Sequence, residues 1–349
     1  MTDSVLVICT ATADSFHEQG YLAANLDVAA QAKEGGDGRR HFDKHGEAEG
    51  RLTLTRDFID GQKDRNRRKY ARFAPILNAE LGAQGKFRHL GEASAFPVSF
   101  GDKPHSIKSY DAESANAGLG EFVQELEANP DKLYLDIGCG FRTRIYENCL
   151  YLEVYPSRTA DIIMEPACFY PIETGSLDGI SCLAVLEHVE KPWQVVEEMR
   201  RMLKPGGKVF IDWPFLQPVH GFPSHFYNAT RSGLKQMFQD GFEIITLDTF
   251  PNQTPDHTVN WILGQWAQSL TSDAARDELM AMTVGDLLKQ SPGDAFWSRI
   301  LAATTDKAKM TYACGNTLIA RRNDDPPAHA DRARPQSAAG IRWPWSRSA

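Results

Sequence analysis

The 349-residue chain has no uninterrupted apolar run of about 18 residues, so no membrane-spanning helix is expected. It lacks a paired cysteine pattern. Cys9, Cys139, Cys149, Cys168, Cys182 and Cys314 are scattered, with no C-x-x-C and no zinc-like spacing. That excludes a disulfide framework, and several of these cysteines sit in apolar segments as small hydrophobes. A reducing cytoplasm is the expected compartment. Positive charge is also short: 38 Lys and Arg against 46 Asp and Glu give a formal charge of -8, the wrong sign for a general nucleic-acid coat. Gly at 27 and Pro at 19 exclude collagen-like and low-complexity classes. There is no internal repeat. The apolar stretch Val5-Leu6-Val7-Ile8-Cys9 has no basic region before it and is too short for a secretory signal, so it reads as a buried strand.

What is present is an ordinary globular composition, 42% hydrophobic and 24% charged, in a length that suits one large or two modest domains. Residues 31–50 are polar and glycine-rich, as in an exposed loop. The spacing of Tyr70, Phe73, Leu77 and Leu81 predicts one face of a helix over 57–81. Its other face carries Lys63, Arg65, Arg67, Arg68, Lys69 and Arg72, a run expected to be solvated; Pro75 should kink or divide the helix. Residues 82–118 show little periodicity and are expected to be irregular. The N-terminal extension therefore spans 1–118.

From residue 119 short apolar runs alternate with helical patterns, as in a mostly parallel sheet covered on both faces. Strands are expected at Leu133–Ile137, Leu150–Tyr155, Ala160–Met164, Gly179–Val185, Lys208–Trp213, Phe242–Phe250 and Gly315–Ala320. Helices are expected at Pro192–Leu203, stopped by Lys204-Pro205-Gly206-Gly207, and at Arg231–Gln239. Two or three more should fill an insertion at 257–305. This second domain spans 119–322, and the polar, proline-rich tail 323–349 is expected to be disordered.

Four motifs carry candidate chemistry. In LYLDIGCG, Leu133 to Gly140, a strand ends in Asp136 and a G-x-G turn, which lets backbone approach a ligand closely. The third glycine of G-x-G-x-x-G is absent, because Phe141-Arg142-Thr143 follows Gly140. Glu153 ends the next strand, where a carboxylate can accept from a ribose diol or simply face solvent. The block Ser181 to Val189 contains Glu187 and His188, and leads into the Pro192 helix, LKPGG and the strand VFIDWPF. The loop 213–228 then brings His220, His225, Tyr227 and several other aromatics to the carboxyl edge of the sheet. A histidine there can take a proton from a hydroxyl, or can merely satisfy backbone carbonyls. No third metal ligand lies near in sequence, and no metal is expected.

LDIGCG followed by SLDGISCLAVLEHVEKPWQVVEEMRRMLKPGGKVFIDWPF resembles the class I S-adenosylmethionine-dependent methyltransferases, in the branch with a LEHV…LKPGG block. The resemblance covers about residues 120–250 and the last strand. It implies an α/β, Rossmann-like, seven-stranded and mostly parallel sheet whose last strand is antiparallel, with S-adenosylmethionine as cofactor. It would place Asp136, Gly138, Cys139 and Gly140 along the methionine part, Glu153 on the ribose, Glu165 near the adenine, and Leu183 and Ala184 on the pocket floor. The residues themselves make His220 and then His188 the candidate bases, although in the resembling family the position of His188 often only shapes the cofactor site. The acceptor would be a small molecule or glycan, with oxygen as the methylated atom. The chain departs from the pattern in two respects: residues 141–152 leave little room for the usual helix between the first two strands, and Glu165 is followed by Pro166 where the family often has a small residue. Two other readings stand beside this one, a non-catalytic domain that binds a partner and an NAD-dependent oxidoreductase.

Overall fold

The computed structural model describes residues 4–33, 37–78, 87–101, 120–166, 169–221 and 224–312. Residues Met1–Tyr312 form one compact unit. In chain order the strands are β1 (Ser4–Leu6), β2 (Ile8–Thr10), β3 (Leu52–Leu54), β4 (Phe87–His89), β5 (Val98–Phe100), β6 (Tyr134–Ile137), β7 (Arg144–Tyr146), β8 (Cys149–Glu153), β9 (Ile162–Met164), β10 (Leu177–Leu183) and β11 (Leu203–Asp212).

Seven of them make the central sheet, in the order β11-β10-β6-β8-β9-β5-β4. All neighbours are parallel except β4 and β5. Strands β6, β8 and β9 are buried at every residue, as expected where both faces are covered. One face packs Leu135, Ile137, Leu150, Leu152 and Ile180 on the helix Pro192–Met202, through Val196, Met199 and Met202. That helix has Pro192 in its first turn and runs directly into β11. The Pro205-Gly206-Gly207 step shifts the β10–β11 register between Leu177/Leu203 and Gly179/Lys208, with Gly206 at φ +79°.

The sheet corrects the expectation for 82–118. This stretch supplies two strands of the central sheet, and the antiparallel strand is β4, near the start of the chain. Three-residue strands offer too few positions for alternation to show; Val98 and Phe100 are fully buried because β9 and β4 flank them. Residues 242–250 form no strand, and Ile245 there is 78% exposed. The candidate strand 315–320 and the tail 323–349 lie outside the described residues.

Residues 141–152 hold no helix; they contain β7, which pairs with β1 at the chain start, and then begin β8 at Cys149. The face that a crossover helix would cover is filled from the N-terminal region. Val7, Leu54 and Phe58 pack there with Phe122 and Leu126 of the helix Gly120–Ala128 and with Tyr134, Tyr151 and Ile163 of the sheet. The predicted helix over 57–81 is two helices, Arg56–Asp60 and Gln62–Phe73, followed by a 3-10 turn at Ala74–Ile76 that contains Pro75.

Its basic face is only partly solvated, contrary to expectation. Arg65 and Lys69 are buried. Arg65 donates to the Phe58 carbonyl at 2.9 Å. Lys69 Nζ lies 2.5 Å from Asp161 Oδ2 and 4.3 Å above the Tyr151 ring. The same Asp161 oxygen accepts from the Tyr151 amide at 2.8 Å, so one ion pair ties the helix to β8 and to the entry of β9.

The insertion is richer in helices than expected: Pro255–Ser269, Asp273–Ala281, Val284–Lys289 and Ala295–Ala303, followed by Asp306–Thr311. Hydroxyls of Ser272, Thr283 and Thr305 accept from the amides of Ala275, Asp286 and Ala308 and start three of them. Leu270, Leu279, Phe296 and Ile300 give these helices a core of their own. No helix among the described residues is long and apolar enough to cross a membrane.

Removing one partner of the buried pair leaves an uncompensated charge. Lys69→Met should destabilise the fold by about 3–5 kcal/mol. Lys69→Met combined with Asp161→Asn should recover part of that loss. Urea unfolding of the two variants checks this, and a double variant no more stable than Lys69→Met would show that Asp161 is not the charge being neutralised.

Candidate cofactor and acceptor site

The turn after β6 is fixed by backbone demands. Gly138 and Gly140 have φ +66° and +56°. The Gly138 and Cys139 amides both donate to the Leu152 carbonyl, at 2.9 and 3.0 Å. A Cβ on Gly138 would stand 2.2 Å from Val185 Cγ2, so the turn lies directly against the end of β10. Gly140 donates its amide to Glu153 Oε2 at 2.8 Å, and its carbonyl accepts from Ser157 Oγ at 2.6 Å. Cys139 is fully buried, which pushes its thiol well up and keeps it inert.

Glu153, expected at a ribose, has a structural duty as well. Its Oε1 accepts from the Val154 amide while Oε2 holds the glycine turn. It is 6% exposed, and burial pushes its carboxyl up to about 7, opposed by those two amides. Asp136 sits between Ser181 on β10 and Tyr151 on β8. Its carboxylate is gripped at both oxygens by Arg142, Nε at 2.7 Å and Nη2 at 3.0 Å. Sequence reasoning missed Arg142, which lies one residue before Thr143, the position of the absent third glycine. Asp136, Arg142, Phe122, Tyr151, Ser181 and Leu183 line a cavity of about 250 Å³ on this face of the sheet. Ser181 Oγ is buried there with no hydrogen-bond partner among the described residues. Leu183 forms part of the wall of this cavity. Ala184 follows it at φ +53°, its amide bound to the Asp212 carbonyl at 2.9 Å. Glu165 lies past β9 with its amide on the Phe100 carbonyl at 2.9 Å, and it does not line this cavity.

The second half of the site follows β10 and β11. A 3-10 turn, Leu186–His188, presents Glu187 and His188. The loop after β11 folds back over it: the Phe226 amide donates to the Glu187 carbonyl at 2.6 Å, and Trp213 Nε1 to the Tyr227 carbonyl at 3.2 Å. Gly221, at φ +78°, lets the backbone lie on the His188 ring; a Cβ there would be 2.2 Å from Cε1. The His188, His220 and His225 rings meet edge to face, with centroids 4.6–5.5 Å apart. His188 Nδ1 is 2.8 Å from the Ser224 carbonyl, and His220 Nδ1 is 2.8 Å from the Pro218 carbonyl. A carbonyl only accepts, so each Nδ1 carries the hydrogen and each Nε2 keeps its lone pair. Burial lowers both pKa values and favours this neutral form. Trp261, from the insertion, closes over His220 at 4.9 Å between ring centroids.

Glu153 also predicts a pH dependence. Its folded value lies above the ordinary 4.5, so its contribution to stability is complete below about pH 4.5 and is lost as pH rises through about 7. The loss should be on the order of 3 kcal/mol. Thermal unfolding between pH 5 and pH 8 should show a smaller fall in Glu153→Gln than in the natural sequence; equal falls would remove Glu153 as the source.

Residues 118–211 match the methyltransferase-domain family. The ubiquinone biosynthesis O-methyltransferase of Xanthomonas oryzae pv. oryzae is 46% identical over 39 residues, 11% of this chain and 16% of that protein. An uncharacterised 37.1 kDa protein in transposon TN4556 of Streptomyces fradiae is 27% identical over 146 residues, 32% of this chain and 42% of that one. Among solved structures, phospholethanolamine N-methyltransferase 2 of Haemonchus contortus, in complex with phosphomonomethylethanolamine and S-adenosylhomocysteine, aligns with TM-score 0.29 at 15% identity, over 52% of this chain and 45% of that one. The chain thus spans about a sixth of the length of the ubiquinone methyltransferase it matches. The family match, which takes in the glycine turn, Glu153 and the LEHV…LKPGG block, agrees with the parallel sheet, and the chain carries a class I S-adenosylmethionine-dependent methyltransferase domain.

Proposed function

We propose that the chain transfers a methyl group from S-adenosylmethionine to a hydroxyl oxygen of a small-molecule or glycan acceptor. The observation that carries this reading is the contact of Gly138 with Val185, which joins the glycine turn to the segment bearing Glu187 and His188.

The residues present fit the cofactor. An ionised carboxylate has about four acceptor positions, and the two amides use only part of the Glu153 capacity, which leaves room for ribose hydroxyls. The Asp136–Arg142 pair and the unpartnered Ser181 hydroxyl offer polar groups to the amino-acid end, against the wall formed by Leu183 and Ala184. When bound, S-adenosylmethionine supplies an electrophilic methyl on a sulfonium. The protein's part is then alignment, which can supply about 7–11 kcal/mol, and removal of the acceptor's proton. The histidine cluster does the latter, His220 first and His188 second, through the Nε2 lone pairs that the Pro218 and Ser224 carbonyls leave free. The exposed aromatics Phe215, Phe226 and Tyr227 on the same loop suit a flat or ring-shaped acceptor.

Calorimetric titration should show micromolar binding of S-adenosylmethionine and S-adenosylhomocysteine, lost in Asp136→Ala and Glu153→Ala. Binding of NADH in their place would overturn the cofactor assignment, and binding of none would favour a partner-binding domain. With an acceptor found from a panel of phenols and sugars, His220→Ala should lower turnover by about 10²–10⁴ and leave S-adenosylmethionine affinity nearly unchanged. Unchanged turnover would exclude His220 as a proton acceptor.

A further inference from the structure

We infer that Glu187, His188 and His220 together hold a divalent transition-metal ion at the carboxyl edge of the sheet. One donor atom from each of the three lies within 4.8 Å of the others.

The argument starts from Glu187. It is fully buried, and neither carboxylate oxygen has a hydrogen-bond partner among the described residues. Burial pushes this carboxyl up to about 8; a bound cation would hold it ionised, as buried charges are ordinarily paired or bound to a metal. The nearest candidate is His188, whose Nε2 is 3.8 Å from Glu187 Oε1, too far for a hydrogen bond. That spacing leaves room for an ion between them. The histidines are arranged as ligands. In both, Nδ1 is committed to a backbone carbonyl 2.8 Å away, which fixes the ring and leaves the Nε2 lone pair as the donor. Metal-bound imidazoles are oriented in this way by their other nitrogen.

His225 is excluded by the same reasoning. Its Nδ1 accepts from the His220 amide at 3.2 Å, and its Nε2 meets Asn228 Oδ1 at 2.6 Å. Both nitrogens are engaged, so His225 positions His220 and does not bind the ion. Metal–ligand distances of about 2.0–2.2 Å put tetrahedral donors about 3.4 Å apart, so side-chain rotations that bring the donor atoms together by roughly 1 Å would close the site.

Two imidazoles and one carboxylate select against Mg²⁺ and Ca²⁺, which prefer oxygen, and suit Zn²⁺ or Mn²⁺. Three protein ligands also leave a coordination position open, as in catalytic and not structural sites. On the methyl-transfer reading, and resting on it, that position would take the acceptor oxygen and lower the pKa of its hydroxyl so that its proton is released to water, and His220 and His188 would then serve that reaction as ligands in place of acting as bases. Metal binding itself does not depend on that reading.

The test uses the full chain, stripped with EDTA and then dialysed against Zn²⁺ or Mn²⁺, with bound metal counted by mass spectrometry. A single equivalent per chain is expected. Glu187→Gln and His220→Ala should each weaken binding at least about tenfold, the scale on which even outer partners of metal ligands act. His45→Ala, on the exposed surface of the N-terminal region, should bind as the natural sequence does. Circular dichroism checks folding, and the more conservative variant His220→Asn replaces any variant that fails to fold. S-adenosylmethionine calorimetry on the stripped protein separates the two ideas: cofactor binding without metal binding would overturn the metal site alone. Binding below stoichiometry, or equal binding by all variants, would overturn it as well.

Discussion

Residues 141–152 are too few to form a crossover helix over β6 and β8, and the rest of the architecture answers that constraint. A sheet buried on both faces cannot leave one face wet, since the apolar side chains there supply most of its stability. The chain covers the gap with β7 and with segments from far away in sequence: β1 pairs with β7, and Phe58 and Leu54 join the cluster around Phe122 and Tyr134. The Lys69–Asp161 pair pins the neighbouring helix to the same part of the sheet. The N-terminal region is therefore structural wall and not an appendage. What it does not fill is the cavity beside Asp136.

Loss of the helix also changes what the motif residues do. Without a helix N-terminus behind the glycine turn, other donors and acceptors must hold the turn in place. Glu153 takes this task by accepting the Gly140 amide, and Arg142 neutralises Asp136. Residues that a motif reading assigns wholly to the cofactor thus spend part of their hydrogen-bonding capacity on the fold. The opposite holds at the other end of the site. The Glu187 carboxylate has no hydrogen-bond partner among the described residues, although it is fully buried, and such a buried, unpartnered carboxylate is a strong chemical signal.

Much of the domain was legible in the sequence. Strands β6, β8, β9, β10 and β11, the Pro192 helix, the missing crossover helix and the histidine-bearing loop all follow from apolar runs, proline and glycine punctuation and motif order, whereas β7 does not. The two strands at 87–89 and 98–100 were not, because each is short and becomes a strand only by pairing with a distant neighbour. Burial of Arg65 and Lys69 was likewise hidden: a basic run reads as solvated until a carboxylate more than ninety residues away is brought to it. The expectation of no metal rested on ligand spacing along the chain. Glu187 and His188 are adjacent in sequence, but His220 reaches them only because the loop after β11 folds back over the 3-10 turn.

The sequence by itself determined the local chemistry: which segments could be strands, where the backbone had to turn at Gly138 and Gly140, and that Asp136, Glu153, Glu187, His188 and His220 would gather near one edge of a parallel sheet. Those features depend on a few consecutive residues and on the side-chain period of a strand. Tertiary structure alone decided which charges are buried and paired, which face the N-terminal segments cover, and which nitrogen of each histidine keeps its lone pair. These depend on distances between residues far apart in the chain, and electrostatic and hydrogen-bond energies depend on separation in space and on exclusion of water.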